Sequence, residues 1–334
     1  MIGAGWTVLL LMAVLAAALI SLAVGRYPVS PHTVFSVLVG QLLPIQPSWP
    51  DQAETVIMNI RLPRVMAALL VGCALSASGA AYQGIFRNPL VSPDILGVAS
   101  GAGAGAALAI LMGASAPGTQ MAAFIGGIAA VSLTFLIGGR NKTGNTAMTM
   151  VLAGIMVAMV FQALISLLKV LADPINTLPA ITFWLMGSLA SAGFPQLAAA
   201  APGCLSGLAV LLLLRWRLSV MAFNDEEAQV LGVNVARIRL AVIVAATLMT
   251  AAAVAISGVI AMVGLVVPHL ARMIVGADFR NLLPVSALMG GLFMLLVDNL
   301  ARTLSASEIP LGILTALIGA PVFFSLLTKA NQRG

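Results

Sequence analysis

LAVIVAATLMTAAAVAISGVIAMVGLVVPHLA, running from Leu240 to Ala271, contains no Lys, Arg, Asp or Glu. A membrane-crossing helix needs about 20 mostly apolar residues, so this run is too long for one ordinary span. Ser257-Gly258 near its middle suits a break, because glycine adopts backbone conformations that end a helix. Read as one helix, the run gives the chain nine spans. Read as two, it gives ten.

The rest of the chain has the same character. Other charge-free windows are Gly3–Gly25, Val65–Phe86, Ile95–Gly113, Met121–Gly139, Ala147–Leu168, Leu197–Leu214, Leu282–Val297 and Ile309–Leu327. Of 334 residues, 61% are hydrophobic and 8% charged, against about a quarter charged in soluble domains. One water-soluble core cannot hide that much apolar surface, so lipid bilayer is the solvent and a single membrane domain fills 1–334. The first apolar stretch, Thr7 to Val24, follows no Lys or Arg and is long enough to span, so it reads as a span and not a cleaved leader.

Charge decides between nine and ten. With the N-terminus cytoplasmic and ten spans, the cationic residues inside are Arg87, Arg140, Lys142, Arg215, Arg217, Arg237, Arg239, Arg272, Arg280, Lys329 and Arg333. Those outside are Arg26, Arg61, Arg64, Lys169 and Arg302. Nine spans would divide them evenly. The positive-inside rule selects ten, with both termini cytoplasmic. The net charge of +6 is thus loop charge that sets orientation. It forms no basic stripe with interleaved aromatics, and nucleic acid is not an expected partner.

Three segments lie outside the spans: 27–60 on the periplasmic side, 172–195 as a short helix near the outer interface, and 218–239 as the largest cytoplasmic loop. Gly101, Gly103 and Gly105, and Gly203 and Gly207, suit close helix approach in lipid. Cys73 and Cys204 sit in apolar windows and read as small buried hydrophobes.

Catalytic and metal chemistry is sparse. Gly139-Arg140-Asn141-Lys142-Thr143-Gly144-Asn145-Thr146 has the glycine spacing of a nucleotide loop, but Asn145 stands where the phosphate-binding lysine belongs, between two spans. The chain therefore carries no nucleotide site, and any ATP and Mg would sit on partner subunits. No cofactor is expected on this chain. Two histidines and no acidic cluster make a poor binder of bare metal ions. Asp298 stands one turn before Arg302, an i,i+4 pair, and His269 lies near a helix end; both read as structural. An ion-coupled carrier would instead need Asp298 at work within the membrane.

The cytoplasmic loop holds Asn224-Asp225-Glu226-Glu227-Ala228-Gln229-Val230-Leu231-Gly232-Val233. Asn224 suits the N-cap, Glu227 the N3 position, and the acidic first turn the helix dipole. Gly232 suits the C-terminal stop. Ala228, Val230 and Leu231 offer apolar side chains. Chemistry alone leaves two readings open, a docking knob and a solvated loop helix.

An ordered set of motifs goes further. Arg61-Leu62-Pro63-Arg64, Gln83-Gly84-Ile85-Phe86-Arg87-Asn88-Pro89-Leu90 and Pro93-Asp94-Ile95-Leu96-Gly97-Val98 come first. Gly264-Leu265-Val266-Val267-Pro268-His269, Asp298-Asn299-Leu300-Ala301-Arg302, Glu308-Ile309-Pro310-Leu311-Gly312 and Gly319-Ala320-Pro321-Val322-Phe323 follow. From about Arg61 to Phe324 the chain resembles the FecCD family of importer permeases, which serves iron–siderophore, haem, vitamin B12 and some oxyanion importers. The resemblance implies an all-α, BtuC-like bundle of ten transmembrane helices in a bacterial inner membrane. It implies a second permease copy, most simply as a homodimer, two ATP-binding cassette ATPase subunits below and a periplasmic substrate-binding protein above. It implies that Asp225, Glu226, Glu227, Ala228, Val230, Leu231, Gly232 and Val233 contact the ATPase. Arg61, Arg64 and Arg302 match outward-facing arginines that meet acidic residues of the binding protein, with interfacial snorkelling as the plain alternative for Arg64 and Arg302. Asn145, Thr146 and Thr149 fall near a cytoplasmic gate. The expected cargo is a ferric siderophore, with haem, cobalamin and molybdate or tungstate as alternatives.

Overall fold

The computed structural model describes residues 2–44, 49–139, 146–305 and 307–331. Among them every regular element is helical. Ten segments cross the membrane. They are α1 (Ile2–Ala23), the continuous rod of α3 (Asp51–Thr55) and α4 (Leu62–Ile85), α5 (Val98–Leu111), α6 (Ala116–Gly138), α7 (Thr146–Leu171), α9 (Phe194–Met221), α11 (Val235–Ser257), α12 (Val263–Val275), α13 (Phe279–Thr303) and α14 (Leu311–Asn331). Three short helices stand between them: α2 (Pro31–Gly40), α8 (Thr177–Met186) and α10 (Asp225–Val230).

The Leu240–Ala271 run breaks as its sequence predicts. α11 stops at Ser257, and Gly258 takes φ 68°, a left-handed value that a side chain resists. Residues 258–262 are irregular before α12 begins. Non-helical backbone at membrane depth is tolerated only where protein covers it and satisfies its polar groups. Here the cover comes from α8 and its connections. Ser188 N donates to Ser257 O at 2.8 Å, and Leu311 N donates to Gly187 O at 2.9 Å. A Cβ on Gly258 would meet Trp184 O at 2.3 Å. Ile181 of α8 is fully buried, so this helix is keyed into the bundle.

α12 has 13 residues and α5 has 14, each shorter than the roughly 20 needed to cross. Each is preceded by non-α chain, residues 258–262 before α12 and the Pro93–Leu96 3₁₀ turn before α5.

The second span begins well before its apolar window. A helix runs unbroken from Asp51 to Ile85, 35 residues, widening into a π turn over Val56–Arg61. It therefore starts inside the segment 27–60 that the sequence places outside, and it carries Arg61 and Arg64 down into the protein. Its α4 portion is the hub of the fold, buried on nearly every face and packed by α13, α11, α12 and α9. Glycines set those distances. A Cβ on Gly72 would lie 2.1 Å from Gly290 O of α13, and one on Gly79 would lie 1.9 Å from Gly264 O of α12. Close backbone approach of this kind is how helices associate in lipid. Gly101 and Gly105 do the same for α5 against α6.

Candidate functional site and outer charge cluster

At the inner end, α9 finishes at Met221, and Asn224 opens α10 by accepting a hydrogen bond from Glu227 N at 2.8 Å. Gly232 adopts φ 78° at the predicted stop, and Asn234 caps α11 by accepting from Arg237 N at 3.1 Å. The loop is thus a rigid corner with a cap at each helix start.

Its apolar residues divide into two groups. Ala228 is fully buried against the bundle, contrary to the expectation that it presents its side chain outward. Val230 and Leu231 are exposed, at 89% and 58%. The difference follows from position on one short turn: Ala228 faces the helix ends beneath it and Val230 faces away.

Asp225 fastens the corner down. Its carboxylate accepts from Arg87 Nη2 at 2.5 Å and from Arg239 Nη2 at 3.1 Å, and Arg87 Nε also donates to Met221 O at 3.0 Å. Partial burial pushes the Asp225 carboxyl up, but the hydrogen bonds and charges of the two arginines together outweigh it and hold the group below the usual carboxylate range. Sequence reading placed Arg87 and Arg239 among the inside cations without linking either to Asp225.

At the outer end the three arginines expected to face outward are turned into the protein. Arg61, Arg64 and Arg302 are 4%, 6% and 7% exposed. This corrects their expected outward orientation, and the physical reason is that each guanidinium finds partners inside the protein. Arg61 Nη1 donates to Leu22 O at 2.7 Å and Ala23 O at 2.9 Å, and Nη2 donates to Tyr27 O at 2.5 Å. It therefore caps the C-terminal carbonyls of α1, where a cation is favoured by the helix dipole. Arg64 grips Asp298 through Nε at 3.0 Å and Nη2 at 2.9 Å, and grips Glu308 through Nη1 at 2.9 Å and Nη2 at 3.0 Å. Arg302 Nε lies 3.2 Å from Asp298 Oδ2, the i,i+4 pair legible in the sequence, while its Nη2 donates to Ser21 Oγ at 2.9 Å and to Asn299 Oδ1. Asp298 is fully buried between the two guanidiniums. Glu308, with its side chain 27% exposed, is the member that reaches the surface.

The remaining expected positions do not join either cluster. Asn145 lies outside the described residues, as does most of the 139–146 string. Thr146 opens α7, and Thr149 is partly buried where the end of α6 meets α7. His269 packs edge-on to Phe323 of α14 with ring centroids 6.4 Å apart.

The sequence pattern of the FecCD transport family matches residues 11–329. The chain belongs to the FecCD transport family. It is a multi-pass membrane permease of the ABC importer class, a transport component and not a catalytic enzyme. Among its relatives is the molybdate import system permease protein MolB of Haemophilus influenzae, 43% identical over 95% of this chain and 93% of that one. Another is the cobalamin import system permease protein BtuC of Halobacterium salinarum, 41% identical over 89% of this chain and 80% of that one. A solved structure described as an inward-facing ABC transporter of metal-chelate type is 41% identical, with a TM-score of 0.87 over 97% of this chain and 98% of that one. This FecCD chain therefore has relatives that carry chemically different cargoes on one bundle.

Proposed function

We propose that this FecCD permease works in a bacterial inner membrane as a pair of copies, driven by two ATPase subunits beneath it and fed by a periplasmic binding protein above. The carrying observation is the inner knob. A six-residue helix, capped at its start and pinned by Asp225, holds Val230 and Leu231 out into the cytoplasm with Glu226 and Glu227 beside them. A solvated loop helix needs neither two arginine links nor an exposed apolar tip. Docking of an ATPase on that tip accounts for both.

Asp298 argues against an ion-coupled carrier. Such a carrier needs a carboxylate free to bind and release its ion, and this one is locked between Arg64 and Arg302. The exposed apolar flank of α7, including Met156, Met159, Val160 and Val170, supports contact with lipid and a second copy. The burial of Arg61, Arg64 and Arg302 leaves Glu308 and its loop as the accessible charged part of the outer cluster. The binding protein then meets that cluster at Glu308, and the arginines act as the frame behind it.

For cargo, a ferric siderophore is the first reading. The second is molybdate, favoured by the MolB relative that spans 95% of the chain. The test is ATP hydrolysis in proteoliposomes holding the permease and its co-purifying ATPase. Binding protein would be added empty or loaded with ferric siderophore, molybdate, cobalamin or haem. Stimulation by one loaded form names the cargo. Hydrolysis unresponsive to every form, with transport following an ion gradient instead, would overturn the importer reading.

A further inference from the structure

The inner end of α4 is built in an unusual way. α4 closes at Ile85 with Phe86 as its C-cap, and the next residue, Arg87, has φ 50°. L-residues other than glycine, asparagine and aspartate seldom adopt that conformation. Only one other non-glycine among the described residues shares it, Met262 in the break before α12. A bulky residue kept in a left-handed conformation marks a place where the surroundings impose it, and such places concentrate at working parts of proteins.

The consequence of that backbone turn is where the side chain goes. It folds back beneath the bundle, donates from Nε to the last carbonyl of α9, and pairs from Nη2 with Asp225 at the first position of α10. One side chain thus joins three elements: the end of α4, the end of α9 and the start of the knob. Arg239 gives Asp225 a second tie, to the first turns of α11.

α4 is fitted to receive a push. It is buried almost throughout, so it has no room to bend independently. Gly72 and Gly79 lock it to the backbones of α13 and α12. Its outer end carries Arg64, 21 positions before the last helical residue Ile85, or about 32 Å along the axis. That is roughly the thickness of the hydrocarbon core. Arg64 holds Asp298 of α13 and Glu308 of the 304–310 connection to α14. The rod has one arginine joint at the knob and another at the outer loop.

We propose that Arg87 is the positioning residue through which displacement of the α10 knob enters α4, so that the ATPase moves the outer Arg64–Glu308 joint by shifting one rod. The inference rests on the reading of α10 as the ATPase docking knob. It adds the route by which that docking is felt on the far side of the membrane. Arg239 holds the knob in register with α11, and Arg87 connects it to the hub.

The decisive variant is Arg87→Gly. Glycine is the better residue for the backbone conformation, so a role confined to backbone shape predicts a protein at least as sound as wild type, with Arg239 still tying Asp225 to α11. Transmission through the side chain predicts loss of function in a well-folded protein. Wild type, Arg87→Gly and Arg87→Lys would each be assembled with the ATPase and the loaded binding protein in proteoliposomes. Three readings would be taken: ATPase co-purification, ATP hydrolysis and cargo moved per ATP. We expect Arg87→Gly to retain the ATPase and to hydrolyse ATP, while cargo per ATP collapses and stimulation by loaded binding protein disappears. Arg87→Lys, which can reach Asp225 but lacks the fork that also holds the α9 carbonyl, should recover part of the coupling. Two results would overturn the inference: unchanged cargo per ATP in Arg87→Gly, or loss of ATPase binding in that variant, which would make Arg87 a shaper of the docking surface. If wild type itself binds no ATPase, the docking reading falls and the inference falls with it, a result distinguishable because it precedes any substitution.

Discussion

Replacing Asp298 with asparagine puts the outer cluster to a quantitative test. The carboxylate is fully buried and serves two guanidiniums: Arg64 at 2.9–3.1 Å through two nitrogens, and Arg302 at 3.2 Å. Asparagine keeps the shape and loses the charge, and its amide directs N–H groups toward other donors. Removing one partner of a buried ion pair costs about 3–5 kcal/mol, because the other charge stays buried and unpaired. Arg64 would retain Glu308, and Arg302 would retain Ser21 and Asn299. These remaining partners place the expected loss near the lower end, about 3 kcal/mol. For a long chain each kcal/mol moves Tm by about 2 °C, so the midpoint should fall by roughly 6 °C. In a Cys73→Ala background the protein carries its own reporter, since Cys204 is 2% exposed. A thiol-reactive fluorogenic dye added to detergent-solubilised protein during heating reads the opening of the bundle. Arg64→Gln measured alone and combined with Asp298→Asn completes a cycle, in which the double variant should lose less than the sum of the two singles. Additive losses, or an Asp298→Asn protein that melts with wild type, would refute the shared-anion argument. Normal melting together with abolished transport would do more, because it would return Asp298 to a role in ion coupling.

Other substitutions and conditions probe separate parts of the argument. Gly79→Leu forces a side chain into the Gly264 carbonyl, already 1.9 Å from where a Cβ would sit. Overpacking of this kind costs about 1–3 kcal/mol or more, and a drop in Tm or in folded yield checks it. Val230→Asp should abolish ATPase co-purification while changing stability by no more than about 0.5 kcal/mol, as expected for an exposed site; retained co-purification would count against docking at the tip. Asn224→Ala removes the α10 cap, worth about 1 kcal/mol, and should raise amide exchange at 225–230 with no effect on α11. The Asp225 carboxyl is held below its ordinary value, so its stabilising contribution is fully present above the usual carboxylate range and disappears as pH falls through the depressed value. Amide protection of α10, corrected for intrinsic exchange, should therefore hold from neutral pH down to that range, begin to fall within it, and be lost below the depressed value. Loss at higher pH would contradict the assignment.

What could be read from the chain follows the range of each signal. Hydropathy, charge sidedness and cap chemistry act over one or two helical turns, or between one loop and the bilayer. They gave ten spans, the Ser257-Gly258 break, the Asn224 cap, the Gly232 stop and the Asp298–Arg302 pair. The expectation for Ala228 failed because one short turn does not reveal which face meets the bundle. The outward placement of Arg61, Arg64 and Arg302 failed because their sequence neighbours lie at span ends, while their partners come from other helices. Arg64 and Asp298 are 234 residues apart, and nothing local ties them together.

The sequence by itself determined that this chain lives in lipid, how many times it crosses, and where a stiff knob stands on its inner face. Each of these depends on apolar length and local backbone preference. Only the tertiary structure decided which side chains share a charge: Asp225 with Arg87 and Arg239, and Asp298 with Arg64 and Arg302. In a bundle where lipid gives no hydrophobic force drawing helices together, helix contacts are fixed by close glycine packing between distant segments. The pairing of buried charges follows from those contacts and cannot precede them.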